Sequence, residues 1–476
     1  MEYDDFMGND EEINELIEKY ENTKDNGLPY YFDSDDYNVI VEYYLQKNEW
    51  ESALEAAEKA KMLHPSDNTT KLIMAKVLVF EHKSKKALQL LKEIGLEHND
   101  LDFLLTLAGC YADLGKHKKS IEAYQKALES VEDFDQFDIY SNMAFEYEAL
   151  GDIEHSLEYI KKSLGNNHDI EDKYHDIRQN YLQLNRNDEC VEFFKSLIDK
   201  NPYDKEAWLT LGDTYRSTGL LEKAAEQYEY ALSIDPKYRR AYENLSVTLA
   251  ALNKLKDTIE IIEEAIKNKV ETSSMLCLLG ESYHALNNDE KAIEYFNTVL
   301  KKDVTNDKAC SGLAHIMCDR GDLKSALQYI DKALSDIYPD PELYRIKTEL
   351  LIINEQYSKA LTQLNIYESY VGQNYETVNI RIDIHLKQNK PDLAVKDINS
   401  AIKHSSDYDM ISRLLYNKAE ILFTSSRDEE ALATLDTAIR TAPIYFKDFL
   451  ELNPDFKDDM RIIDLYNEIC KKGNKN

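Results

Sequence analysis

Small residues recur along this chain at a spacing of about 34. From Ala224, steps of 34 fall on Thr258, Ala292, Ala326, Ala360 and Ala394, and a slightly longer step falls on Ala431. Steps back reach Cys190 and Ser156, then, with adjustments of one or two residues, Ser120, Ala87 and Ala53. Twelve small residues in register, in a chain rich in Lys, Glu, Leu and Tyr, mark one structural unit repeated about twelve times. Such a unit leaves an apolar face that only a neighbouring unit covers, so the repeats must stack. The length of 476 residues would otherwise suggest about three globular domains; the repeat replaces that expectation with one continuous, elongated core.

The clearest unit is Lys205–Tyr238, KEAWLTLGDTYRSTGLLEKAAEQYEYALSIDPKY. Leu211 and Tyr215, then Leu221, Ala224, Ala225, Tyr228, Ala231 and Leu232, fall at helical spacing. This predicts two helices with Gly219 at the turn, where glycine ends a helix in the left-handed region at little steric cost. Gly212 and Ala224 are small where two helices are expected to cross closely. Pro236 follows the second helix, which it cannot continue.

Trp208, Leu211, Gly212, Tyr215, Gly219, Ala224, Tyr228, Ala231 and Pro236 match positions 4, 7, 8, 11, 15, 20, 24, 27 and 32 of the tetratricopeptide repeat. The chain therefore resembles that family over most of its length. The resemblance implies an all-α solenoid, a right-handed superhelix of antiparallel helix pairs. The array is placed at residues 34–445, after an acidic segment 1–33 that is either a cap or an arm. Residues 446–476 are expected to hold a capping helix within Asp458–Lys472 and a short disordered tail from Lys471. Self-association through an exposed end is compatible with this architecture. The units from Pro341 and Tyr375 depart most from the pattern, with Lys347, Arg381 and His385 in place of apolar or small residues.

Composition narrows the function. Ninety acids against 57 bases give a formal net charge of −33, and residues 1–36 alone hold 13 acids and 2 bases. Such a surface repels phosphate backbones and anionic lipid, so neither nucleic acid nor a membrane is an expected partner. No apolar run approaches the ~18–20 residues of a membrane helix, and the first residues lack the basic-then-apolar pattern of a secretory leader. Six Cys without a C-x-x-C pair read as reduced thiols in a cytoplasmic protein. Most of the 33 Tyr fall at repeat positions and read as packing residues.

Catalytic motifs do not emerge. There is no G-x-S-x-G elbow. Gly109 and Gly115–Lys116 are separated by five residues and followed by His117, where a phosphate loop needs four and then Ser or Thr. No enzyme activity and no cofactor are expected.

In this family the first helix of each unit lines the inner groove, with positions 2, 5, 9 and 12 facing inward. The family's clamp for chaperone C-termini opens with Lys at position 5 and Asn at position 9; here those positions read Asn38 and Glu42, Leu209 and Asp213, Arg345 and Glu349, so that mode is not expected. Position 9 instead carries Glu42, Asp213, Glu281, Glu349, Asp383 and Glu420. This half-acidic row is the predicted partner-binding groove, suited to a basic protein or peptide segment. The chain then reads as a non-catalytic scaffold or adaptor. A second reading rests on Cys277, Glu281, His284, His315 and Cys318. Their helical spacing in two adjacent units would let four of them converge on a metal or small ligand if the packed helices lie about 8–10 Å apart.

Overall fold

The structure, a computed structural model, describes residues 10–26, 30–96, 98–130, 136–165 and 170–473. Contacts divide the chain into two compact units, residues 1–236 and 237–476. Among the described residues all regular structure is helical.

The first unit opens with α1 (Asp10–Asn26) and continues as six helix pairs. These are α2 (Ser34–Gln46) with α3 (Trp50–Leu63), α4 (Asn68–Phe80) with α5 (Ser84–Ile94), and α6 (Leu101–Asp113) with α7 (His117–Leu128). They are followed by α8 (Gln136–Ala149) with α9 (Ile153–Lys162), α10 (Ile170–Gln183) with α11 (Asn187–Lys200), and α12 (Lys205–Ser217) with α13 (Leu221–Ile234). The second unit repeats the plan: α14 (Arg239–Ala251) with α15 (Leu255–Lys267), α16 (Ser273–Ala285) with α17 (Asp289–Lys302), and α18 (Asp307–Asp319) with α19 (Leu323–Ala333). Then come α20 (Glu342–Ile353) with α21 (Tyr357–Val371), α22 (Tyr375–Lys387) with α23 (Pro391–His404), and α24 (Tyr408–Thr424) with α25 (Asp428–Thr441). Two further helices, α26 (Phe446–Leu452) and α27 (Met460–Gly473), close the chain.

Local chemistry sets the ends of these helices. Asp67, Asp100, Asp204, Thr272 and Asn306 each accept a backbone hydrogen bond three residues on, capping the first helix of a pair. Every turn inside a pair contains one residue with φ between 55° and 78°. Gly219 is one of them, as the sequence predicts, at φ 78°. Asn48, Asn185, Asn253, Asn287 and Asn389 fill the same place elsewhere, because Asn tolerates the left-handed region better than other side chains.

All twelve small residues of the 34-residue register are buried, from Ala53 to Ala431. The close packing at Gly212 has a more specific cause than helix crossing alone. A Cβ there would meet the Tyr228 ring at 2.6 Å, so the glycine makes room for the ring of its own pair. Phe296 is accommodated twice: added Cβ atoms would meet it at 2.8 Å from Gly280 and 2.3 Å from Gly312.

The polar substitutions in the irregular repeats are matched by partners. Lys347 pairs with Asp331 at 2.7 Å, Arg381 with Glu368 at 2.6 Å, and the buried His385 ring with Asp397 at 3.0 Å. At the ends, α1 buries Ile17 and Tyr20 against Phe32, Tyr37 and Tyr44. Ile462 of α27 is fully buried, and Tyr466 stacks on Phe446 with centroids 4.1 Å apart. One element is added to the sequence reading here, and one expectation needs correction. Residues 446–452 are themselves a helix, whose Phe446 and Phe449 enter the core. Residues 471–473 continue α27 rather than starting a disordered tail. Residues 474–476, and residues 1–9 and 27–29 of the acidic segment, lie outside the described residues.

Candidate functional site

First helices touch first helices: α2–α4, α4–α6 and α10–α12 in the first unit, α14–α16, α16–α18 and α18–α20 in the second. Within each unit this shared face forms a wall; the second unit has one cleft in it and another nearer the C-terminus. The larger, about 350 Å³, is built by α16, α17, α18 and α20 and the turn before α20. Glu281, His284, Asp307, Lys308, His315 and Glu342 supply its polar lining, over an apolar floor that includes Phe296, Leu343 and Ile346.

Glu281 is the exceptional group. Its side chain reaches water, and among the described residues it has no hydrogen bond or ion pair. It is exposed in the lining of the cleft, yet the protein around it still displaces part of its solvent. This burial pushes its carboxyl above the ordinary glutamate value, against the opposing pull of Lys308. His284 differs: its two ring nitrogens face Asp289 at 2.8 Å and Asp319 at 3.3 Å. Glu342 is held by Arg345.

The smaller cleft, about 190 Å³, lies nearer the C-terminus and draws on α22, α24 and α26. Tyr375, Tyr416, Tyr445 and Phe449 wall it, with Arg413, Asn417, Glu420 and Asp448 among its polar groups. The Arg413 guanidinium sits 5.5 Å from the Tyr375 ring centre and 5.2 Å from that of Tyr445, and pairs with Asp409 at 2.9 Å.

Comparison with known proteins agrees with this architecture. Tetratricopeptide-repeat family models match residues 137–167, 205–238, 273–301 and 381–443. The family of anaphase-promoting complex, cyclosome, subunit 3 matches residues 46–127. A TPR repeat-containing protein of Methanocaldococcus jannaschii is 24% identical over 86% of this chain and 70% of its own. The chain is a tetratricopeptide-repeat (TPR) protein. The human DnaJ homolog subfamily C member 3 is 20% identical over 50% of this TPR chain, which spans 52% of that relative. Among solved structures, the anaphase-promoting complex hetero-tetramer Cut9-Hcn1 aligns with 86% of this chain and 93% of its own at 15% identity, with a TM-score of 0.39. The TPR fold is that of a protein-interaction scaffold. No helix among the described residues is long and apolar enough to cross a membrane.

The six acids of TPR position 9 do not share one environment. Glu42 accepts from Lys76 at 2.5 Å, Asp213 from the Tyr228 hydroxyl at 2.6 Å, Glu349 pairs with Arg345 at 2.5 Å, and Asp383 pairs with Lys387 at 3.4 Å. Glu281 and Glu420 line the two clefts and have no such partner among the described residues. Lys76 also reaches Asp102 at 2.7 Å. Burial alone would lower the Lys76 ammonium, but Glu42 and Asp102 outweigh it and hold the group above the ordinary lysine value.

The convergence of four ligands from this set is not seen among the described residues. Glu281, His284 and His315 line the larger cleft, whereas Cys277 is buried and its thiol donates to Asn306 at 3.7 Å. Burial, followed by the nearby Glu281 charge, pushes that thiol up to about 12, far from a thiolate ligand. Among the described residues no group of three His, Cys, Asp or Glu is placed to hold a metal ion. Helical spacing put these residues on one face; the packing turns Cys277 into the core.

Proposed function

We propose that this protein is a non-catalytic, cytoplasmic scaffold or adaptor that holds a basic segment of a partner protein against the first-helix wall of its second unit. The observation that carries this reading is Glu281: a carboxylate kept without a partner in the lining of a cleft, where its own environment disfavours its charge. A group that costs stability in the free protein is the kind of group a binding site retains. A partner's Lys or Arg would supply the missing counter-charge. The match of residues 46–127 to a subunit family of a multiprotein complex supports a place in an assembly.

Glu281 and Glu420 should therefore matter more than Glu349 and Asp383, whose charges are already matched. Partner capture, measured by pull-down with quantitative mass spectrometry at low and high salt, is expected to fall in Glu281→Gln/Glu420→Gln. It should be near wild type in Glu349→Gln/Asp383→Asn. Screening acts over about 8 Å at physiological salt, so wild-type capture should also fall as salt rises. If both double variants, folded by circular dichroism, retain every partner at both salts, the acidic row is only a solvated face.

A further inference from the structure

We propose that the cleft lined by Tyr375, Tyr416, Glu420, Tyr445, Asp448 and Phe449 seats one lysine or arginine side chain of a partner segment. This rests on the reading of the wall as an acidic protein-binding face, and specifies the chemistry of one subsite within it.

The balance of paired and unpaired charge in the cleft sets the sign of the ligand. Most of the neutral side-chain donors in the cleft are committed. The Tyr416 hydroxyl donates to the Ala442 carbonyl at 3.0 Å, and the Tyr445 hydroxyl to Asp409. The Asn417 amide donates to the Tyr375 hydroxyl at 3.3 Å and to Asn379 at 3.1 Å, and the Asn453 amide to the Phe449 carbonyl at 3.0 Å. Arg413, the only side-chain cation in the lining, is neutralised by Asp409. The acceptors are not committed: among the described residues the carboxylates of Glu420 and Asp448 have no hydrogen bond or ion pair. An anion entering here would meet two unpaired carboxylates, with only the Tyr375 hydroxyl and the remaining N–H groups of Arg413, whose charge Asp409 already matches, to donate to it. A cation would find both carboxylates open.

The walls fit the rest of such a side chain. Rings of Tyr375 and Tyr445 already carry one guanidinium, that of Arg413, at cation–π distance. Phe449 and the buried Tyr416 offer apolar surface to a methylene stem, and Leu452, 79% exposed, stands at the rim. At about 190 Å³ the cleft is smaller than the ~300–1,000 Å³ of drug-sized ligand sites and suits one side chain of a longer segment.

The test uses the full chain and four capped pentapeptides, acetyl-Gly-Ser-X-Ser-Gly-amide, with X as Arg, Lys, norleucine or Glu. Binding is read by saturation-transfer NMR, with the signal mapped onto the protons of X. The Arg and Lys peptides are expected to bind through their side-chain methylenes, and the norleucine and Glu peptides at least about tenfold more weakly. Glu420→Gln/Asp448→Asn removes both charges from groups with no internal partner, so the fold should stand. It is expected to weaken the Arg and Lys peptides about tenfold, the scale of a charge-assisted hydrogen bond, while Glu349→Gln, which removes a charge already paired with Arg345, leaves them unchanged. Norleucine binding as well as Lys, or Glu binding as well as Arg, would overturn the cation seat. Arg and Lys binding that survives Glu420→Gln/Asp448→Asn but is lost in Glu281→Gln would sink this subsite and keep the acidic wall. Binding indifferent to both variants would sink the two together.

Discussion

In the first unit, Lys76 reaches back 34 residues to Glu42 and forward to Asp102, bridging position 9 of one repeat and position 2 of another. In the second unit, His315 stands at the same repeat position as Lys76, with Glu281 34 residues before it and Glu342 in the place of Asp102. It contacts neither acid among the described residues, and Arg345 takes Glu342. The two sites share a backbone plan and nearly the same acids. One closes on a half-buried lysine and becomes part of the wall; the other stays open as a cleft with a carboxylate in its lining. A repeat row is thus divided between structure and binding by what sits one repeat away, not by the acid itself.

The largest effect should come from breaking the closed site. Lys76→Met leaves Glu42 and Asp102 close together without their cation. Removing one partner of a fully buried pair costs about 3–5 kcal/mol. Both acids here are about 35–45% exposed, which reduces this to about 2 kcal/mol. Urea unfolding should show the loss, and hydrogen exchange should place it in α2, α4 and α6. Unchanged stability and exchange would mean that the Lys76 bridge is decorative.

A converse experiment closes the open site. His315→Lys installs in the second unit the residue that bridges the first. The new ammonium is expected to pair with Glu281 and occupy the cleft, weakening capture of a basic partner about tenfold, equivalent to about 1.4 kcal/mol. Stability should rise slightly rather than fall. Full partner capture by a stable His315→Lys protein would show that Glu281 is not where the partner docks.

The small residues at repeat position 20 show why so much of the fold was legible: a close helix crossing excludes large side chains, and that exclusion is written in residue size at every step. Gly219 was legible for the same kind of reason. Other features leave no such trace. Glu355 and Ser426 hold the left-handed turn without being glycine or asparagine, so only the repeat register reveals them. Helix α26 has 7 residues, too few to show a helical period. The six acids of position 9 look alike in sequence because their counter-charges come from elsewhere. Lys76 is a full repeat away from Glu42, and Tyr228 reaches Asp213 from the second helix of the pair. Glu281, His284 and His315 do share one cleft, but the His284 ring is taken by Asp289 and Asp319, partners that helical spacing does not reveal.

The smallest expected effect sharpens the comparison most directly, because it reads the cost of leaving Glu281 open. Burial raises its carboxyl in the folded chain above the ordinary value of 4.5. The folded state therefore binds that proton more tightly than the unfolded state does. The resulting stability is fully present below about pH 4.5 and is lost as pH rises through the raised folded value. Glu281→Gln has no such loss. The variant should gain on the wild type between pH 4.5 and neutrality and then hold a constant lead, a rise in melting temperature of roughly 1–2 °C for a chain of this size. The lead stays small because the side chain still reaches water. Glu349→Gln, by contrast, removes a group already paired with Arg345 and should show no such gain. Paired thermal melts of the two variants and the wild type at pH 5 and pH 7.5 decide it. Equal shifts for Glu281→Gln and Glu349→Gln would mean that the open carboxylate costs nothing, and the argument that a partner is needed to satisfy it would fail.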